Sequence, residues 1–134
     1  MVFQRAESPT LLNGHEAARR FFSSRFAGNR GGRERLLVAH IDDTARCLHV
    51  EAYDGEPESV GIPIRKIVAD ATRLGSSAVV LAHNHPGGDS RPSNADCRVT
   101  RKLVQAAEAI DLAILDHLIF SDEECSSMRR LGLL

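Results

Sequence analysis

Two short runs, Leu36-Leu37-Val38-Ala39-His40-Ile41 and Ala78-Val79-Val80-Leu81-Ala82, carry almost no polar side chain. Side chains alternate between faces along a strand, so a run that is apolar throughout belongs to a strand covered on both sides. Covering layers are therefore required above and below. Helical periodicity supplies them. Ala17, Ala18, Phe21, Phe22 and Phe26 form one stripe after Asn13 and Glu16, which read as a capping box, and Gly28 is the expected stop. Ile64, Ile67, Val68, Ala71 and Leu74 form a second stripe between Pro63 and Gly75. Ser93 is placed to cap a third helix running to about Ala109. Leu48, Val50 and Ala52 alternate with Cys47, His49, Glu51 and Tyr53, as in a strand with one solvated face. A further strand is expected over Ala113–Phe120, followed by a short helix capped by Ser121 with Glu124. Strands and helices alternate, so the expected class is α/β, a mixed sheet flanked by helices in two or three layers.

A chain of 134 residues, 43% hydrophobic and 26% charged, fits one domain that needs no disulfide or structural metal for its core. The expected organisation is an N-terminal helix and linker over 1–32 and the main domain over 33–134. A net charge of −1 leaves no global nucleic-acid footprint. Arg19, Arg20, Arg25, Arg30, Arg33 and Arg35 do make the first quarter basic, which reads as a solvated face before it reads as a phosphate contact. Cys47, Cys97 and Cys125 lack any CxxC spacing, so three free thiols and a reducing, cytoplasmic setting are expected. No apolar run approaches the roughly 18 residues of a membrane span, and Met1 to Arg5 lack a signal-peptide core.

His83 and His85 stand two apart at the end of a strand, so their side chains leave the same face and can chelate one cation. Alone, an HxH pair is a weak sign, and Ser93-xx-Asp96 alone is an ordinary helix-start device. Together they form a compact set of two nitrogens and one carboxylate. That set suits zinc, and three protein ligands leave a fourth position open, as in catalytic sites. The helix N-terminus favours the ionised form of Asp96 that ligation needs.

His83-Asn84-His85-Pro86, six intervening residues, then Ser93 and Asp96 resemble the HxHP-x6-SxxD signature of the JAB/MPN (JAMM) metalloproteases. The RadC-like branch is closer still, through Arg91-Pro92-Ser93, Thr100, Leu115-Asp116-His117 and the closing Gly132-Leu133-Leu134. The resemblance covers about 33–134. Gly87 stands where RadC-like chains often carry Ser, and 53–62 lacks the Gly-Thr element expected after the second strand. The helix-hairpin-helix region of full-length RadC proteins does not precede the domain in this sequence, so weak DNA binding is expected. The resemblance implies a single JAB/MPN-like domain with cytidine-deaminase-like layering. It also implies one zinc per chain, a metal-activated water, a glutamate base and a serine supporting the oxyanion.

Glu34, Glu51, Glu56 and Glu58 precede the histidines. Glu34 heads the inner apolar strand, where a carboxylate is partly desolvated, and the family's glutamate also sits just before the first strand. Glu34 is therefore the expected base and Ser93 the expected oxyanion partner, although a cap could be its whole role. Asp116 and His117 interrupt an apolar strand and need polar partners if buried. They read either as support behind the zinc ligands or as a satisfied core pair, outside the catalytic set. His15, His40 and His49 read as ordinary helix and strand residues.

The expected function is zinc-dependent hydrolysis of an amide, peptide or isopeptide bond in a peptide or protein substrate. The alternative is a RadC-like DNA-repair-associated module whose metal site is vestigial or directed at phosphodiesters. A purely structural zinc fold is disfavoured, since no fourth ligand is evident. The letters His-Asn-His do not make an HNH nuclease, and the HxE and PCxxC of a zinc deaminase do not occur.

Overall fold

The computed structural model describes residues 10–27, 33–54, 61–86, 88–122 and 124–134. The described elements run α1 (His15–Phe26), β1 (Arg35–Ile41), β2 (Cys47–Asp54), α2 (Ile64–Leu74), β3 (Ala78–Asn84), α3 (Asn94–Glu108), β4 (Ala113–Phe120) and β5 (Cys125–Ser127). One mixed sheet has the order β2-β1-β3-β4-β5. β3 and β4 are parallel, and the other neighbours are antiparallel. The chain is thus a single small α/β domain.

The two apolar runs are the central strands. Leu37, Ala39, Ile41, Val80 and Ala82 meet Phe22 and Phe26 of α1 on one face. Leu36, Val38, Val79 and Leu81 meet Ile67 and Ala71 of α2 and Leu103 and Ala107 of α3 on the other. This makes three layers, with α1 alone on its side. At the end of α2, Gly75 adopts φ 70°, and Ser76 N–H returns to the Ala71 carbonyl at 2.9 Å. A left-handed residue closes the helix this way, and glycine adopts that conformation without Cβ strain.

Four local expectations change. α1 starts after Gly14 with no side-chain cap, and Glu16 pairs instead with Arg19 and Arg20, so Asn13 and Glu16 form no capping box. In α2 the buried positions are Ile67, Asp70 and Ala71, while Val68 and Leu74 are only half-buried. β2 has no solvated face opposite a buried one: Leu48 and Ala52 are exposed, whereas Tyr53 packs on the α2 side. As an edge strand it lies at the rim of both cores. Finally, Ser121 does not cap a helix. Its hydroxyl oxygen accepts Glu124 N–H at 3.1 Å in a turn, after which Cys125–Ser127 pair with β4.

Expected boundaries at Gly28 and the candidates Glu56 and Glu58 lie outside the described residues. No described helix is long and apolar enough to cross a membrane.

Candidate metal centre

β3 runs two residues past its apolar run, to Asn84, and His85 N–H still reaches the Phe120 carbonyl of β4 at 2.7 Å. Strand alternation places Leu81, His83 and His85 toward α2 and α3, and Asn84 toward α1. Proline at position 86 has no N–H to continue the ladder. The chain then turns to the start of α3, where Ser93 and Asp96 form a reciprocal capping box. Ser93 Oγ accepts Asp96 N–H at 3.0 Å, and Asp96 Oδ2 accepts Ser93 N–H at 2.8 Å. The box holds the Asp96 carboxylate at the first turn of the helix, beside the histidines.

His83 Nε2 lies 2.8 Å from His85 Nε2. His85 Nε2 lies 3.2 Å from Asp96 Oδ2, and His83 Nε2 lies 3.6 Å from Asp96 Oδ1. Burial raises the pKa of Asp96, but hydrogen bonds and charge from His83 and His85 outweigh it and hold the carboxyl far below the ordinary range. The Asp96 hydrogen bond in turn raises His85, and the Glu34 charge adds to that shift.

These atoms suit a cation. His85 Nδ1 lies 3.1 Å from the Asp89 carbonyl oxygen. A carbonyl only accepts, so Nδ1 carries the hydrogen, and in the neutral ring Nε2 presents a lone pair toward His83 and Asp96. A lone pair facing a second imidazole nitrogen and a carboxylate needs a positive centre between them. Ligands about 2.0–2.1 Å from one tetrahedral ion stand about 3.3 Å apart, and the three observed separations bracket that spacing. His83, His85 and Asp96 are therefore a group that could hold a metal ion, their ligand atoms all within 4.8 Å of one another. No cysteine joins the group, and Cys47, Cys97 and Cys125 are free thiols.

Glu34 lies half-buried one residue before β1. Leu36 pairs with His83, and continuing this antiparallel register by two residues sets Glu34 across from His85. Asn84 fixes that segment from the next strand: its Oδ1 accepts Arg35 N–H at 2.7 Å, and its Nδ2 donates to the Arg33 carbonyl at 3.2 Å. Both residues flanking Glu34 are thus tied to the residue between the two histidines.

Asp116 and His117 face opposite ways and do different work. Asp116 accepts from Ser127 Oγ and from the backbone N–H groups of His117 and Arg129, anchoring the last turn of the chain. His117 faces the metal group, its Nε2 2.7 Å from His83 Nδ1. Its Nδ1 lies 2.8 Å from Thr100 Oγ1, and Thr100 donates to the Asp96 carbonyl at 2.7 Å. Burial pushes the pKa of His117 well below that of a free imidazole, so the ring is neutral.

The sequence assigned no role to Asn84. Its signal was available, since a polar residue inside a fully buried strand must find partners.

A cleft of about 450 Å³ opens beside His85, walled by Ser23 and Phe26 of α1, Asn84, and Phe120 to Asp122. Several arginines of the basic first quarter have partners. Arg19 and Arg20 pair with Glu16, Arg35 pairs with Asp54, and the Arg25 guanidinium lies 4.2 Å over the Phe21 ring. Arg30 lies outside the described residues.

A three-layer α/β domain with a His-His-Asp group at a strand end and helix start defines a JAB-like domain with a candidate metal centre. A family model described as a RadC-like JAB domain matches residues 12–133, a span that includes α1. The chain belongs to that family.

Proposed function

We propose that this domain is a zinc-dependent hydrolase of the JAMM type, acting on an amide, peptide or isopeptide bond of a peptide or protein substrate. The observation that carries the reading is the convergence of three ligand atoms, two imidazole nitrogens and a carboxylate oxygen, at the end of β3. Two imidazoles favour zinc over magnesium or calcium, which prefer oxygen ligands. His83, His85 and Asp96 would hold the ion. When bound, zinc lowers the pKa of a water to about 7 and polarises a carbonyl.

The chain's own residues supply the rest. The Glu34 carboxylate accepts a proton from the attacking water as its oxygen bonds to the carbonyl carbon. The same carboxylate returns the proton to the amine nitrogen as the C–N bond breaks. Asn84 keeps the Glu34 backbone in register with the ligands. The Asp96 N–H uses a lone pair of Ser93 Oγ, which leaves the hydroxyl proton to stabilise the developing oxyanion.

The test is a screen of amide, isopeptide and phosphodiester substrates on the zinc-loaded protein, with Glu34→Gln alongside. An amide or isopeptide substrate should be turned over. Glu34→Gln should retain zinc and lose about 10²- to 10⁴-fold in rate, the usual contribution of a general base. Turnover of phosphodiesters alone would replace this reading with the nucleic-acid one. Full activity in Glu34→Gln would move the base to Glu51, Glu56 or Glu58.

A further inference from the structure

We propose that Thr100 and His117 are positioning residues that fix the ring tautomer of His83, aiming its Nε2 lone pair at the metal position before an ion arrives. The inference rests on the reading of His83, His85 and Asp96 as metal ligands, and it concerns residues behind them.

The direction of the chain can be derived from its fixed end. The Asp96 backbone carbonyl can only accept, and Thr100 Oγ1 donates to it at 2.7 Å. Two other neighbours could take that proton: Met128 Sδ is 3.9 Å away and a far weaker acceptor, and giving it to His117 Nδ1 would leave the hydroxyl and carbonyl oxygens 2.7 Å apart with no hydrogen between them. With its one proton committed, the hydroxyl must accept from His117 Nδ1 at 2.8 Å. His117 Nδ1 therefore carries a hydrogen. Fully buried, with a hydroxyl and a ring nitrogen as its side-chain partners, His117 holds a single ring hydrogen, so its Nε2 accepts from His83 Nδ1 at 2.7 Å. His83 is then the Nδ1–H tautomer, and its Nε2 lone pair faces His85 and Asp96.

Each hydrogen bond in this chain has one donor and one acceptor, and reversing any of them reverses those before it. A threonine bond to the carbonyl four residues back is common in helices. Here the same hydroxyl also closes on a fully buried imidazole, joining ligand His83 on β3 to the helix that carries ligand Asp96. His85 needs no such chain, because the Asp89 carbonyl fixes its ring directly. In the opposite tautomer, His83 would place a hydrogen where the ion must sit. It would then donate to His85 or Asp96, and metal would have to displace that bond.

The test uses the full chain free of metal, with ¹⁵N-labelled histidine. Two-bond ¹H–¹⁵N spectra at about pH 8, where an ordinary imidazole is neutral, should show both His83 and His117 as Nδ1–H tautomers. An Nε2–H form of His83 in the wild type would overturn the proposal without any variant.

Thr100→Val keeps the shape and removes the hydroxyl. It should release His83 from the Nδ1–H form and weaken zinc affinity by about 10- to 100-fold, the usual cost of losing a ligand's orienting partner. Thr100→Ser should retain both properties. Unchanged tautomer and affinity in folded Thr100→Val would contradict the proposal. If that variant does not fold, His117→Gln and His117→Leu decide: the amide can accept from His83 and donate to Thr100, so Gln should preserve the His83 tautomer and Leu should not. Equal behaviour of the two would overturn the assignment. A wild type with the expected tautomers that binds no zinc would overturn the metal reading while supporting the tautomer assignment.

Discussion

Asp96 has two roles, helix cap and candidate ligand, and Asp96→Asn separates them. An asparagine oxygen can still accept Ser93 N–H, now 2.8 Å from Oδ2, so much of the capping box should survive. The negative charge beside His83 and His85 is lost. The metal-free variant should therefore be destabilised modestly, by about 1.5–3 kcal/mol, the scale of a hydrogen bond to a charged group. The zinc response should change more. At a free zinc concentration 100 times the wild-type Kd, binding stabilises the native state by about 2.7 kcal/mol. For a domain of this length, about 3–5 °C of Tm accompanies each kcal/mol, so zinc should raise the wild-type Tm by about 8–14 °C. Loss of an orienting partner alone weakens metal sites by about 10- to 100-fold, and loss of an anionic ligand should reach at least the upper end. A 100-fold loss leaves RT ln 2, about 0.4 kcal/mol, or about 1–2 °C. The assay is differential scanning calorimetry with and without zinc, each protein compared with its own metal-free form. A full zinc shift in Asp96→Asn would refute the assignment of Asp96 as a ligand.

Two further outcomes follow from other parts of the fold. Ser93→Ala should cost about 0.5–2 kcal/mol by removing the α3 cap, while Ser93→Asn should restore stability without restoring turnover; recovery of turnover in Ser93→Asn would limit Ser93 to capping. His40 of β1 is fully buried, and burial lowers its pKa from 6.5. Below that value the unfolded chain binds a proton that native His40 does not, so its contribution to stability is full above 6.5 and falls with pH until the native pKa is reached. His40→Gln should flatten the fall below pH 6.5 by up to about 1.4 kcal/mol per pH unit, measured by urea unfolding across pH; an unchanged slope would show that His40 does not remain neutral in the native state.

How much the sequence revealed depended on how local each signal was. β1 and β3 were legible because their residues are apolar on both faces, and His83, His85 and Asp96 because their spacing survives folding unchanged. The faces of β2 were not legible, since an edge strand's burial depends on what packs at the rim. β5 has three residues, too few for any periodicity, and the nearby Ser121 and Glu124 imitate a helix start. The split between Asp116 and His117 follows from strand alternation, but their partners do not. Ser127 lies on another strand, and His83 is 34 residues from His117, so only the register of β3 against β4 brings those imidazoles together. Asn84 likewise reaches the backbone on either side of Glu34 through the pairing of β1 with β3.

His83, His85 and Asp96 are proposed to hold one zinc ion. The most direct test is elemental analysis of the wild type, His83→Ala and His85→Ala after zinc loading and exhaustive dialysis, with circular dichroism to establish that each is folded. One zinc per chain is expected in the wild type and none in either folded variant. A wild type without zinc, or stoichiometric zinc in His85→Ala, would contradict the claim.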